Sequence, residues 1–547
     1  MLRTLTRPAL AVPRSLTLSR SLSSNSPHFA VSRPSSPSPP SRSWAGTTSD
    51  SSPTSLYING EFTVGSTSKW IDVHDPSSQE LLTRVPETSE EDLERAVKGA
   101  QEAWEGGWRD EGVLRRQGIM MRFQALIRKY HNDIAASITR EQGKTFEDAK
   151  GDVLRGLQVV ETACGLPSLL LGDKLEVSKD MDTYTRRLPL GVVAAICPFN
   201  FPAMIPLWSM ALATMTGNSL ILKPSERDPG ASMILAELLQ EAGLPKGVLQ
   251  IVHGTVPPVK FICEHPLIKA VSFVGGNKAG RYVYETGTKH GKRVQANLGA
   301  KNHALLMPDA KPRFALNSIV GAAFGAAGQR CMALSTLVAV GESQKWVDGI
   351  VERARKLKVG NGFDPASEVG PLITPAARQR VEALIQSCKD EGGKILLDGR
   401  GVKIEGFPDG NWVGPTVLEA TTGMECYKQE IFGPVLVVVK ADSLDDAIKL
   451  INRNPYGNGA SIFTQSGATA RKFEKEVEAG QIGINAPIPV PLPMFSWSGG
   501  KGSVLGGSSL YGPRGMDFWT QLKTTTSLWR AEDAVDSRAS TAMPTHD

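Results

Sequence analysis

The first 49 residues contain no aspartate, no glutamate and no lysine. They carry six arginines (Arg3, Arg7, Arg14, Arg20, Arg33 and Arg42) among abundant serine and proline. An arginine-rich, serine-rich, acid-free leader is the composition of a mitochondrial import sequence, which is removed after import. Residues 1–45 are therefore read as a disordered transit peptide addressing the chain to the mitochondrial matrix. This leader also explains the formal net charge of +5, an excess that would otherwise point to nucleic acid or an anionic membrane. Taking six arginines from the 61 basic residues leaves 55 against 56 acidic. The body has no basic surplus, and no nucleic-acid partner is expected.

Long apolar runs are also lacking. The most apolar stretch, Gly191–Leu222, is broken by Asn200, Pro202, Pro206, Gly217 and Asn218, well short of the ~18 uninterrupted residues a membrane helix needs. No membrane association is expected. The six cysteines (164, 197, 263, 331, 388 and 426) include no C-x-x-C pair, and the eight histidines include no H-E-x-x-H. Free thiols and no metal site follow. The dinucleotide fingerprint G-x-G-x-x-G is missing too. What remains, 41% hydrophobic and 21% charged over 547 residues, excludes a disordered or fibrous chain and has room for two to four domains at roughly 150 residues each.

Periodicity predicts helices over 88–106 and 116–164, so the N-terminal part of the body reads as mainly helical. From residue 191 strands and helices alternate: strand 191–197, helix 204–215, strand 219–222, helix 230–242, strands 248–252 and 269–274, helix 277–286 and strand 293–298. This rhythm is that of βαβ units and a doubly wound parallel sheet. A second series follows, with helix 314–327, strand 333–340, helices 343–357 and 375–391, strand 434–439, helix 444–452 and strand 459–463. Proline at every second position of Pro487–Pro493 reads as an extended, partly buried loop, because apolar residues fill every gap. The polar tail from Ala531 is expected to fray.

Four segments carry chemistry. Cys331 follows Gly328-Gln-Arg330 at the end of a helical run; most lone cysteines merely pack, but an adjacent guanidinium favours the thiolate. Asn200, in Pro198-Phe-Asn-Phe-Pro202, lies at a strand's C-terminal end, where a side-chain amide can donate to an oxyanion; Asn beside proline is also ordinary turn chemistry. Lys223-Pro-Ser-Glu226, at another strand end, offers an amine and a carboxylate to a ribose diol, and the carboxylate disfavours a 2′-phosphate. It could equally be a solvated turn. Phe273-Val-Gly-Gly276-Asn-Lys-Ala-Gly280 runs strand, glycines, helix, and can present backbone N–H groups to a pyrophosphate.

In this order, together with Tyr57–Phe62, Glu141-Gln-Gly-Lys144 and Glu430-Ile-Phe-Gly-Pro434, these motifs resemble the aldehyde dehydrogenase superfamily, from Tyr57 to about Trp529. The resemblance implies an α/β fold of two doubly wound domains with a small β oligomerisation segment. Its NAD-binding domain would span 52–168 and 190–300, its catalytic domain 301–495, and its oligomerisation segment 169–189 and 505–530, before a flexible tail over 531–547. It implies Cys331 as nucleophile and Asn200 as oxyanion donor. Cofactor contacts would come from Cys197, Phe199, Lys223, Glu226, Arg227, Gly276, Glu430 and Phe432, and substrate carboxylate contacts from Arg155 and Arg330. Many members carry Ser where this chain has Gly276, so a phosphate contact there must come from backbone N–H.

One departure narrows the branch. The family's water-activating glutamate belongs to a Glu-Leu-Gly-Gly-Lys motif, and here the segment reads Asn297-Leu-Gly-Ala-Lys-Asn-His303. An amide takes no proton near neutral pH. That segment, Gly328–Ser335 and Pro487–Phe495 resemble the CoA-acylating branch. Its members oxidise methylmalonate and malonate semialdehydes to propionyl-CoA and acetyl-CoA in valine and pyrimidine breakdown. NAD and coenzyme A are the implied cofactor and co-substrate, and a homotetramer the implied assembly, with 521–529 as an inter-subunit strand. The alternatives are a hydrolytic dehydrogenase releasing a free acid and a catalytically silent binding protein.

Overall fold

The apolar strand Val192–Ile196 is buried along its whole length, which requires helices on both faces of its sheet. A computed structural model describes residues 41–47, 52–507, 510–530 and 541, and there this strand sits mid-sheet. Across the sheet the order is Val504–Leu505, Arg293–Asn297, Ile268–Val274, Val192–Ile196, Ser219–Lys223, Leu249–Ile251, Leu56–Ile58 and Glu61–Thr63. The five strands from Arg293–Asn297 to Leu249–Ile251 pair in parallel; the outer ones are antiparallel. From Val192–Ile196 the chain first builds one way, to Ser219–Lys223 and Leu249–Ile251, then returns to add Ile268–Val274 on the other side. That reversal leaves a crevice beyond the strands' C-terminal ends, where such sheets bind ligands. Met204–Met215 packs beneath with every residue buried.

A second sheet has the order Lys394–Leu397, Thr416–Glu419, Val435–Ala441, Thr336–Val340, His303–Leu306, Gly459–Phe463 and Gln481–Ile484, parallel except for its first pair. A third joins Thr520–Leu528, Met181–Pro189 and Lys174–Ser178 in antiparallel register. Strand Thr520–Leu528 thus pairs within its own chain on one edge.

Several expectations need correction. The N-terminal region is mainly helical as expected, but the short strands Leu56–Ile58, Glu61–Thr63, Trp70–His74 and Leu81–Pro86, which were not expected, precede the helix Glu90–Glu105. The long periodicity after 116 resolves into three helices, Val113–Lys129, His131–Gln142 and Phe146–Cys164. Gly143, at φ +89°, ends the second. The expected leader falls mostly on residues 1–40, outside the described residues, but its last part is packed, not disordered. Arg42 pairs with Glu237 at 3.1 Å and Glu241 at 2.9 Å, while Trp44 is buried edge-on against Tyr130. Arg42 therefore belongs to the body, and 56 basic residues face 56 acidic once the other five leader arginines are set aside. The tail at 531–540 and 542–547 also lies outside the described residues. Among the described residues no helix is long and apolar enough to cross a membrane, and no group of three or more His, Cys, Asp or Glu could hold a metal ion.

Candidate active site

Parallel strands place their N-terminal loops on one edge, and four such loops of the second sheet converge: those ahead of His303–Leu306, Thr336–Val340, Val435–Ala441 and Gly459–Phe463. Cys331 lies in the second of them and keeps a partly accessible surface. Its carbonyl accepts from Asn302 Nδ2 at 2.9 Å and Asn458 Nδ2 at 3.1 Å, contributed by two of the other loops. Ahead of it, Ala326, Ala327 and Gly328 are all left-handed, with φ of +51°, +53° and +69°. This run ends the helix Pro312–Phe324, and a Cβ on Gly328 would collide with the Gly433 carbonyl.

Cys331, Arg330, Glu430 and Phe432 line one small cavity of about 20 Å³. Burial pushes the Cys331 thiol up to about 12, and the Glu430 charge acts in the same direction. The Arg330 charge acts the other way, favouring the thiolate as expected from the sequence, but burial outweighs it; the guanidinium is also ion-paired with Asp148. The Glu430 carboxyl is raised by burial and accepts from the Ala300 N–H at 2.9 Å. Its loop is fastened by two cations that the sequence did not single out. Lys301 Nζ donates to the Cys426 and Gln429 carbonyls at 2.8 and 2.7 Å. Arg380 donates to the carbonyls of Glu430, at 2.9 Å, and Ile431.

From the first sheet, Cys197–Pro202 follows Val192–Ile196. Phe199 meets Phe432 edge-on with centroids 5.8 Å apart, joining the two sheets' loops. Asn200 is buried, and its carbonyl accepts from Lys144 Nζ at 2.6 Å. Cys197 donates its N–H to the Lys223 carbonyl at 2.9 Å, and burial pushes its thiol up to about 12, a neutral group.

The donor set suits a dinucleotide. Lys223 Nζ and Glu226 Oε2 are 3.2 Å apart; burial would raise the Glu226 carboxyl, but the Lys223 charge holds it below its ordinary value. Gly276 caps the helix Asn277–Lys289, and a Cβ there would meet nothing within 4 Å. Space is open where backbone N–H groups point outward, as a pyrophosphate needs. Arg227, by contrast, lines a separate groove with Asp72, His74 and Thr374, away from the Cys331 cavity.

Arg155 lines another small cavity with Trp208, Val490 and Tyr511. It donates to the Val490 carbonyl at 2.9 Å and to Gln158 Oε1 at 3.2 Å. The proline-rich loop is therefore a wall of this cavity. Tyr511, another residue the sequence reading passed over, feels both Arg155 and Cys331 and donates to the Pro491 carbonyl at 2.8 Å.

Residues 62–525 match the aldehyde dehydrogenase family model. The chain is 54% identical over 492 residues, 90% of its own length and 91% of the other, to the mitochondrial acylating methylmalonate-semialdehyde/malonate-semialdehyde dehydrogenase of Bos taurus. It superposes with a TM-score of 0.86 on the methylmalonate-semialdehyde dehydrogenase of Oceanimonas doudoroffii, at 41% identity over 88% of this chain and 99% of that one. Betaine aldehyde dehydrogenase of Staphylococcus aureus in complex with NAD+ gives a TM-score of 0.83 at 28% identity, over 87% of this chain and 95% of that one.

Proposed function

The chain belongs to the aldehyde dehydrogenase family, and on that premise we propose that it catalyses the NAD-dependent, CoA-acylating oxidative decarboxylation of methylmalonate semialdehyde to propionyl-CoA, and of malonate semialdehyde to acetyl-CoA. The observation that carries this reading is Asn297, at the end of strand Arg293–Asn297. It is 3% exposed, with its Oδ1 unpartnered among the described residues. An amide there activates no water, so the acyl-enzyme waits for a better nucleophile than unassisted water, and the CoA thiol is one.

Cys331 Sγ adds to the aldehyde carbon, and the oxygen that becomes negative is held by the Cys331 N–H and Asn200 Nδ2. Bound NAD supplies the electron acceptor, with Lys223 and Glu226 placed for a ribose, the Gly276 helix end for the pyrophosphate, and Glu430 and Phe432 for the nicotinamide half. Cys197, Phe199 and Arg227 complete the proposed cofactor set. Arg155, with Arg330, receives the substrate carboxylate. Once the thioester has formed, loss of CO2 leaves an enolate whose oxygen occupies the same oxyanion site. CoA thiol then displaces Cys331. The balance is semialdehyde, NAD+ and CoA to acyl-CoA, CO2 and NADH.

The named mitochondrial relatives and the leader composition support a mitochondrial matrix location. The proposed domain limits keep the NAD-binding residues other than Glu430 and Phe432 on the first sheet, and the nucleophile with the second. A homotetramer is supported by the third sheet, where Leu175, Leu522 and Leu528 share one face and remain exposed. With saturating NAD and methylmalonate semialdehyde but no CoA, one NADH per site is expected in the first turnover, followed by turnover at least about tenfold slower than with CoA. Undiminished steady turnover without CoA would refute the reading.

A further inference from the structure

The two halves of the proposed oxyanion site come from different sheets, and a single buried ion pair touches what fastens both. Lys144 Nζ and Asp152 Oδ2 are 3.2 Å apart with both side chains fully buried. Lys144 also donates to the Asn200 carbonyl at 2.6 Å and lies over the Phe201 ring at 4.4 Å. Asp152 Oδ1 accepts the Met204 N–H at 2.8 Å, one of the orphan donors of the first turn of Met204–Met215. The pair thus fastens the turn 200–204 at both ends. No hydrogen bond orients the Asn200 side-chain amide among the described residues, so its aim depends on the position of its backbone.

The backbone around Lys144 is itself clamped to the other half of the molecule. Phe146 donates its N–H to the Gly362 carbonyl at 2.9 Å, and a Cβ on Gly370 would strike the Gly143 carbonyl. The segment just after Gly370 holds the nucleophile's loop: Gln329, two residues before Cys331, accepts from the Ile373 N–H at 3.1 Å and donates to the Pro371 carbonyl at 3.3 Å. A continuous series of contacts runs from Cys331 through Gln329, Pro371 and Gly143–Lys144 to Asn200.

Charges buried this deeply are costly unless each is well paired, and a fully apolar junction would serve stability as well. We propose that Lys144 and Asp152 are positioning residues that set the distance between the Asn200 amide and the Cys331 N–H. This inference rests on the reading of Asn200 as oxyanion donor.

The test is single-turnover NADH formation by the full-length enzyme with methylmalonate semialdehyde. Lys144→Met should slow it about 10–100-fold, the scale of a misplaced oxyanion donor, with the KM for NAD and CoA changed less than about twofold. On an Asn200→Ala background the same substitution should cost less than about twofold, because the group it positions is gone. Should Lys144→Met not fold, the Lys144→Met/Asp152→Asn pair removes both charges, keeps an acceptor for the Met204 N–H, and carries the same expectation. An unchanged single-turnover rate, or an equal loss on the Asn200→Ala background, overturns the positioning role. An Asn200→Ala enzyme with undiminished rate overturns the oxyanion assignment itself.

Discussion

With its thiol pushed up to about 12, Cys331 is protonated at neutral pH in the ligand-free enzyme, and only the thiolate reacts. Alkylation by iodoacetamide should accelerate roughly tenfold per pH unit between pH 7 and 10; a plateau below pH 9 would contradict this. The two arginines near the nucleophile separate by their partners. Arg155 is bonded to neutral groups, Val490 and Gln158, so Arg155→Leu should lower kcat/KM for methylmalonate semialdehyde about 10–100-fold and for propanal less than threefold, the worth of a hydrogen bond to a charge. Arg330 neutralises Asp148, one of whose oxygens is otherwise unpartnered and buried. Arg330→Leu should therefore impair both substrates. Equal losses for Arg155→Leu on both substrates would exclude it as the carboxylate contact. Cys331 and Asn200 were legible as residues because motif and strand end coincide. Lys144, Asp152, Arg380 and Tyr511 were not, because the contacts that give them a role reach across the chain: Lys144 to Asn200, Asp152 to Met204, Arg380 to Glu430 and Tyr511 toward Arg155.

At the scale of elements, the stretch that presents the nucleophile contradicts its own propensity. Alanine is the best helix former, which is why 314–327 reads as one helix, yet the helix stops at Phe324 and Ala326 and Ala327 turn left-handed. Each such residue costs about 1–3 kcal/mol, offset by the bonds that hold Gln329 and Cys331 beyond the turn. Gly328→Ala should destabilise the enzyme by about 2–4 kcal/mol in urea unfolding and abolish activity, since its Cβ adds a clash with Gly433 to the strain. A change below about 0.5 kcal/mol would mean the turn adapts freely. Apolar elements set between turn residues were readable, Met204–Met215 and Gly459–Phe463 to the residue. The short N-terminal strands were not, although Leu56–Ile58 with Glu61–Thr63 and Trp70–His74 with Leu81–Pro86 pair locally; the third sheet was expected only through the family resemblance, because Thr520–Leu528 pairs with the remote Met181–Pro189.

On the scale of the whole molecule, two parallel sheets meet edge to edge, the C-terminal ends of one beside the N-terminal loops of the other. The proposed cofactor residues come mainly from the first and the proposed nucleophile from the second, so on this reading chemistry depends on contacts such as Phe199 against Phe432 and Lys144 beneath Asn200. Alternating elements revealed two α/β units from sequence; their mutual placement arises from side chains such as Gln329 and Lys144 that no local pattern marks. The body is electrically balanced, and its functional charges are local. All of the chemistry turns on what takes the acyl group from Cys331 when position 297 holds an amide instead of a carboxylate. The most direct measurement is product identification by mass spectrometry after reaction with NAD, CoA and methylmalonate semialdehyde. One propionyl-CoA per NADH is predicted; free propionate or methylmalonate matching the NADH formed, with CoA present, would contradict the account.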